Sequence, residues 1–241
     1  MRTIAPGKVC ALSHLLAILS ATASISAFAQ VDVSAMVARA TQSVVLLEGQ
    51  GPLGSRQGTG FVVSSDGLIV TNLHVIAGLH RVRIRVGTSQ PLEVSQILAF
   101  DEVRDLALLK VPVKRLPTLL LSDSGKVKAG QLVVVLANPR GFGAIASQGI
   151  VSAIRELPGT ATTVIQTNAS VNHGNSGGPL LNSLGEVIGV VTGKLRGSEG
   201  LNFAVPSNDV RALIAGAKTA MSLAEVNRGI ARAPGGRARV E

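Results

Sequence analysis

The sequence predicts an all-β protein: two six-stranded antiparallel β-barrels with a C-terminal helix. Three observations point there. Glycine supplies 27 of the 241 residues, so turns can recur at short intervals. The apolar runs between those glycines are rich in Val, Ile, Leu and Thr and have strand length. The runs fall into two sets of six, parted by a Pro-, Ser-, Asp- and Gly-rich connector over 112–130. At 46% hydrophobic and 15% charged, the chain can bury a sizeable core and is not disordered by composition.

Residues 1–29 read as a secretory signal peptide. Arg2 and Lys8 precede an apolar run that starts at Cys10, and Ala27-Phe28-Ala29 forms a small-residue cleavage pattern before Gln30. The run is interrupted by Ser and Thr and is short for a membrane span, and no other long apolar run follows, so no stable membrane insertion is expected. Cys10 is the single cysteine and lacks a lipid-attachment pattern in Gly7-Lys8-Val9; its removal would leave no disulfide. That suits a periplasmic or secreted bacterial-envelope protein better than a disulfide-stapled eukaryotic one.

Residues 30–42 form a segment in which Val33, Met36, Val37 and Ala40 share one helical side. The first barrel, about 43–116, takes strands at 43–48, 60–63, 68–71, 81–86, 93–99 and 106–111, with Asp66-Gly67 as a hairpin turn. The second, about 127–206, takes strands at 131–137, 147–154, 163–167, 179–182, 186–192 and 201–205. Ser207-Asn208 then caps a helix carrying Val210, Leu213, Ile214, Ala217 and Met221 at helical spacing. Residues 223–241 read as a basic disordered tail.

The net charge is +9; Arg2 and Lys8 supply two of these charges and residues 1–29 hold no acid, so the remainder carries about +7. A basic balance can mean nucleic acid. With no Trp, no Tyr and five Phe, however, stacking platforms are missing and no nucleic-acid partner is expected. His80-Arg81-Val82-Arg83-Ile84-Arg85 alternates basic and apolar residues, as a strand with a solvated basic face does.

The stretch Asn172-His173-Gly174-Asn175-Ser176-Gly177-Gly178-Pro179-Leu180 sets a serine among glycines. Serine is a weak nucleophile until an imidazole takes its proton, and a carboxylate must then orient that imidazole. Of the four histidines, His14 lies in the leader, His80 adjoins the basic strand and His173 is a loop neighbour of the serine. His74, in Thr71-Asn72-Leu73-His74, remains. Asp105 opens the apolar run Leu106–Leu109 at the edge of a core, where a buried carboxylate needs a partner. Gly174 lets its own N–H and that of Ser176, with Asn175 between them, converge on one spot as an oxyanion hole. Gly177 and Gly178 allow close chain approach behind the serine. The histidines show no paired ligand spacing, so no metal is expected, and the chemistry needs no cofactor.

The order His74, Asp105, Ser176 is that of chymotrypsin. TNLHVIAG, DLALLK and GNSGGPL, with GTGFVVSSDGLIVTN, ANPRG and GLNFAVPSN, resemble the HtrA/Deg family of trypsin-like serine proteases from about Ser43 to about Ala220. The resemblance implies a chymotrypsin-like protease domain over 43–222, endopeptidase activity on unfolded or damaged proteins, and protein quality control in the bacterial envelope. By analogy Ser170, Val171, Val191, Thr192 and Asn202 line the substrate pocket; none is acidic, so a small or medium apolar residue is expected there. Departures are His173 where the family usually has Pro and Asn168 where it usually has Asp. About twenty residues follow the expected helix, so no PDZ domain of the family's kind is expected in them, and a homo-trimer is in doubt because no aromatic residue of the kind that assembles the family's trimers lies between Phe28 and Phe61. Two alternatives stand: a proteolytically silent protease fold that holds unfolded chains or a partner protein, and an anionic-surface binder acting through the basic tail.

Overall fold

The computed structural model describes residues 32–87, 89–139, 143–157, 162–192, 202–217 and 219–232. The expected signal peptide and the tail beyond residue 232 lie outside the described residues. The described residues group as one compact unit.

A first helix, α1 (Val33–Thr41), is capped by the Asp32 carboxylate, which accepts from the Ser34 N–H at 3.0 Å, and it buries Met36 and Ala40. Seven strands follow: β1 (Val44–Gly51), β2 (Gly54–Ser64), β3 (Leu68–Thr71), β4 (Arg81–Val86), β5 (Leu92–Glu93), β6 (Gln96–Asp101) and β7 (Leu106–Lys110). A four-residue helix, α2 (Leu73–Ile76), interrupts them after β3. The sheet runs β5-β4-β1-β2-β3-β7-β6.

The second set is β8 (Leu132–Ala137), β9 (Ile145–Glu156), β10 (Thr163–Thr167), β11 (Pro179–Leu181), β12 (Val187–Thr192) and β13 (Asn202–Pro206). These six close into a barrel. Two helices end the described chain, α3 (Ser207–Gly216) and α4 (Leu223–Arg232).

Three expectations need correction. The first set has seven strands, not six, because the expected 93–99 strand breaks between β5 and β6. The break falls where the backbone turns to other partners: Val94 N–H reaches the Val82 carbonyl at 3.0 Å and Ser95 N–H the Lys110 carbonyl at 2.9 Å. Met221 does not extend α3; it forms an isolated bridge with Ile97. The stretch 223–232, expected to be disordered, is helix α4, held by the burial of Val226 against the first sheet.

One apolar cluster binds the two strand sets together. Phe61, Val70, Leu106 and Leu108 from the first meet Leu136, Leu181, Val187, Val190 and Val205 from the second, with Met36 of α1 and Val210 of α3 closing the sides. Each set keeps a further cluster of its own. On β4, Arg81 and Arg83 pair with Glu93, and Arg85 pairs with Glu48.

Candidate active site

His74 sits in α2, and Asp105 sits in the tight bend just before β7. Asp105 has φ +55, a left-handed conformation that aspartate tolerates better than most side chains. The bend lets both its ends be used. Its carbonyl accepts from the Leu73 N–H at 3.1 Å and from Asn72 Nδ2 at 2.9 Å. Its carboxylate accepts from the His74 backbone N–H at 2.9 Å, and its other oxygen lies 2.6 Å from His74 Nδ1. With Asp105 ionised, Nδ1 is the donor, so the neutral ring carries its free lone pair on Nε2.

Two residues complete this corner that the sequence reading did not assign to it. Thr192, at the end of β12, donates its hydroxyl to Asp105 Oδ2 at 3.1 Å. Arg56 of β2 donates through one nitrogen to the carbonyls of His74 and Ala77, at 2.7 and 2.9 Å, fastening the open end of α2. Before Asp105, Arg104 bridges Asp101, at 2.9 Å, and Asp209 of α3, at 3.2 Å. Burial pushes the Asp209 carboxyl above its ordinary range while Arg104 pulls it back.

The Ser176 loop is built against the first sheet by close backbone approach. A Cβ on Gly177, whose φ is +84, would stand 2.1 Å from the Thr59 carbonyl oxygen and 2.3 Å from the Thr71 hydroxyl. Only glycine fits there. Gly174 has φ +93 and lies against Pro139. Thr59, fully buried on β2, holds this loop: its N–H donates to the Ser176 carbonyl at 2.9 Å and its hydroxyl to the Gly174 carbonyl at 2.6 Å. The Asn138 N–H donates to that hydroxyl at 3.1 Å, and the Thr71 hydroxyl donates to the Thr59 carbonyl at 2.7 Å. Thr59 lies in the stretch GTGFVVSSDGLIVTN, which carried the resemblance but gave it no role; the local signal was its place between Gly58 and Gly60, where small neighbours admit another backbone.

Asn175 turns its N–H back to the Asn172 carbonyl at 3.0 Å, so it is committed within the loop. Among the described residues the N–H groups of Gly174 and Ser176 make no hydrogen bond, and no hydrogen bond joins the Ser176 hydroxyl to His74. His173 is exposed in the loop.

The expected pocket residues divide. Ser170 is exposed and its N–H binds the Ser147 hydroxyl at 2.9 Å, while half-buried Val171 packs on the second-barrel core. Val191 is fully buried within that core, so its side chain is core material. Thr192, on the opposite face of the strand from Val191, donates its hydroxyl to Asp105. Asn202 donates to the Ala169 carbonyl at 2.8 Å. Two surface cavities of about 470 and 280 Å³ are lined by neither His74, Asp105 nor Ser176. Among the described residues no cluster of His, Cys, Asp and Glu could hold a metal, and no helix is long and apolar enough to cross a membrane.

The family described as the trypsin-like peptidase domain matches residues 58–190. With the strand order and the corner just described, this defines the class: the chain belongs to the trypsin-like peptidase domain family. Its relatives are HtrA-type enzymes. The mitochondrial serine protease HTRA2 of Bos taurus is 41% identical over 190 residues, 73% of this chain and 41% of that protein. A probable periplasmic serine endoprotease DegP-like of Pseudomonas putida is 42% identical over 168 residues, 65% of this chain and 35% of that protein. The chain thus spans about two fifths or less of the length of these curated relatives. Among solved structures, the Rv3671c protease of M. tuberculosis in its active form matches with a TM-score of 0.70 and 31% identity, covering 78% of this chain and 87% of that one. The HtrA-type protease AlgW with a tripeptide matches with a TM-score of 0.67 and 32% identity, covering 75% of this chain and 61% of that one.

Proposed function

We propose that the protein is a serine endopeptidase that cuts unfolded or damaged polypeptides through His74, Asp105 and Ser176. The observation that carries this reading is the Asp105 carboxylate, gripped at once by the His74 ring at 2.6 Å, the His74 N–H at 2.9 Å and the Thr192 hydroxyl at 3.1 Å. That grip leaves Nε2 as the base.

In the reaction Ser176 Oγ attacks the scissile carbonyl carbon, and its proton passes to His74 Nε2. Asp105 stabilises the imidazolium so formed. The carbonyl oxygen becomes an oxyanion, received by the N–H groups of Gly174 and Ser176, which have no other partner among the described residues. The C–N bond then breaks as His74 returns its proton to the departing amine, leaving an acyl-enzyme. Water repeats the sequence in reverse roles: His74 takes its proton, hydroxide adds to the ester, and Ser176 leaves with the proton restored.

The relatives' names support protein substrates, and the DegP-like names support a periplasmic site of action; cleavage near Ala29 and Gln30 rests on the leader pattern of the sequence. One observation favours a silent or resting form as a second reading: the missing hydrogen bond between Ser176 and His74.

The deciding measurement uses the chain from residue 30 on beside Ser176→Ala, with a fluorescently labelled unfolded protein and a fluorophosphonate probe. Cleavage and labelling in the first and neither in the second is the expected outcome. A folded sample that does neither would overturn the reading and favour the silent form.

A further inference from the structure

The helix that carries His74 is a single turn, and such a short helix draws its stability from outside contacts. Within α2 and the bend after it, the Ala77 N–H reaches the Leu73 carbonyl at 2.9 Å and the Leu79 N–H the Ile76 carbonyl at 3.2 Å. Arg56 takes the carbonyls of His74 and Ala77. A donor at Gly78 and an acceptor at Leu79 are left. Both go to one side chain 148 residues or more away: Asn227 Oδ1 accepts from the Gly78 N–H at 2.8 Å, and Nδ2 donates to the Leu79 carbonyl at 3.0 Å.

Asn227 lies on α4, and the segment leading to it is a built strap. Met221 and Ile97 exchange two backbone hydrogen bonds of 2.8 Å. Ser222 and Glu225 form a reciprocal cap, the Ser222 N–H donating to the Glu225 carboxylate at 2.7 Å and the Glu225 N–H to the Ser222 hydroxyl at 3.3 Å. Val226 is fully buried, with Met221, Leu223 and Ile230 packed around the same apolar cluster. Beyond Val226 the fit loosens: a cavity of about 280 Å³ opens between Leu53, Arg56, Leu79 and Ile230. At this end the helix meets the His74 turn through a specific amide beside the packing of Val226 and Ile230 on the cluster that holds Leu73, Val75, Ile76 and Leu79.

We infer that α4 is a strap that positions the His74 turn, and that Asn227 is the positioning residue through which it acts. The inference rests on the protease reading for its catalytic consequence. Releasing Asn227 removes the anchor at the far end of the turn and leaves Arg56, the bonds to Asp105 and the burial of Leu73, Val75 and Ile76, so the turn loosens and the ring is held less firmly toward Ser176. The effect belongs in kcat, because nothing in the strap is placed to bind substrate.

The test uses the full chain with Asn227→Ala and Asn227→Asp, reading kcat and KM on a peptide, fluorophosphonate labelling, melting temperature and amide exchange over 74–79. Asn227→Ala should lower kcat and labelling rate about fivefold with KM changed less than about twofold, the loss expected for one or two ordinary hydrogen bonds. Asn227→Asp keeps the acceptor for Gly78 and should fall between. Exchange over 74–79 should quicken in Asn227→Ala while that of β7 stays as it was. A lowered melting temperature with unchanged kcat would mean a merely structural helix and overturn the inference. Should the unsubstituted chain neither cleave nor label, the protease reading fails separately; unchanged exchange over 74–79 in Asn227→Ala would then overturn the strap as well.

Discussion

Thr59 joins the two halves of the candidate site. Thr59 belongs to the first sheet, yet its N–H and Oγ1 hold the carbonyls of Ser176 and Gly174 in the second set's loop. Those carbonyls belong to the Gly174–Asn175 and Ser176–Gly177 peptides, so fixing them fixes the planes that flank the peptide carrying the Ser176 N–H, since each amide is rigid. Thr59→Val keeps the shape and removes the hydroxyl, stranding the Gly174 carbonyl and the Asn138 N–H. It should lower kcat about tenfold with a smaller change in KM, and Thr59→Ser should restore most of it. Steady-state kinetics on a peptide decide it; an unchanged kcat would show that the hydroxyl does not orient the loop. Asp105 could be picked out in the sequence because a carboxylate at the head of Leu106–Leu109 has to find a partner. Thr192 and Thr59 could not, because a strand threonine, even one flanked by glycines as Thr59 is, does not show which residue it will meet, and the partner lies 87 or 115 residues away.

At the scale of elements, the β11–β12 turn is tied to the connector by one carboxylate. Glu186 accepts from Asn182 Nδ2 and from the Ser122 hydroxyl, both at 2.9 Å. The Asn182 amide first, and the hydroxyl second, hold its carboxyl below the ordinary glutamate range. A depressed carboxylate stabilises the fold above the unfolded-state value and loses that contribution as pH falls through the folded-state one. Glu186→Gln should therefore lower the melting temperature by about 2 °C at pH 7, with the gap to the parent closing as the sample is acidified below the carboxylate range. A gap constant with pH would disprove the role of the charge. The strands themselves were legible, since period-two apolar runs and Asp66-Gly67 act locally: the turn at Gly67 has φ +98 and its N–H closes on the Ser64 carbonyl at 3.0 Å. Helix α4 was not, because a segment with four basic residues near the chain's end reads as solvated until a surface appears for Val226 to bury against.

At the scale of the molecule, the shared apolar cluster predicts how it unfolds. Phe61 and Leu108 on one side and Leu136 and Val190 on the other are buried against each other, so parting the two sets would expose this face on both. The two sets should melt together in a single calorimetric transition. Leu136→Ala should lower that one transition by about 6–15 °C, from a core deletion of about 3–4 kcal/mol. Two separated transitions, or a shift confined to one, would contradict a common core.

The sequence by itself determined where strands and turns fall, which serine stands on a glycine-built loop, and which histidine and aspartate could serve it. These follow from period, from backbone freedom and from the cost of an unpaired charge, all of which act within a few residues. Tertiary structure alone decided the seventh strand, the bond from Thr192 to Asp105, the grip of Thr59 on the serine loop and the docking of α4 behind His74. Each of those depends on a hydrogen bond or a buried methyl whose partner is distant in the chain, and no local pattern records which distant residue will arrive.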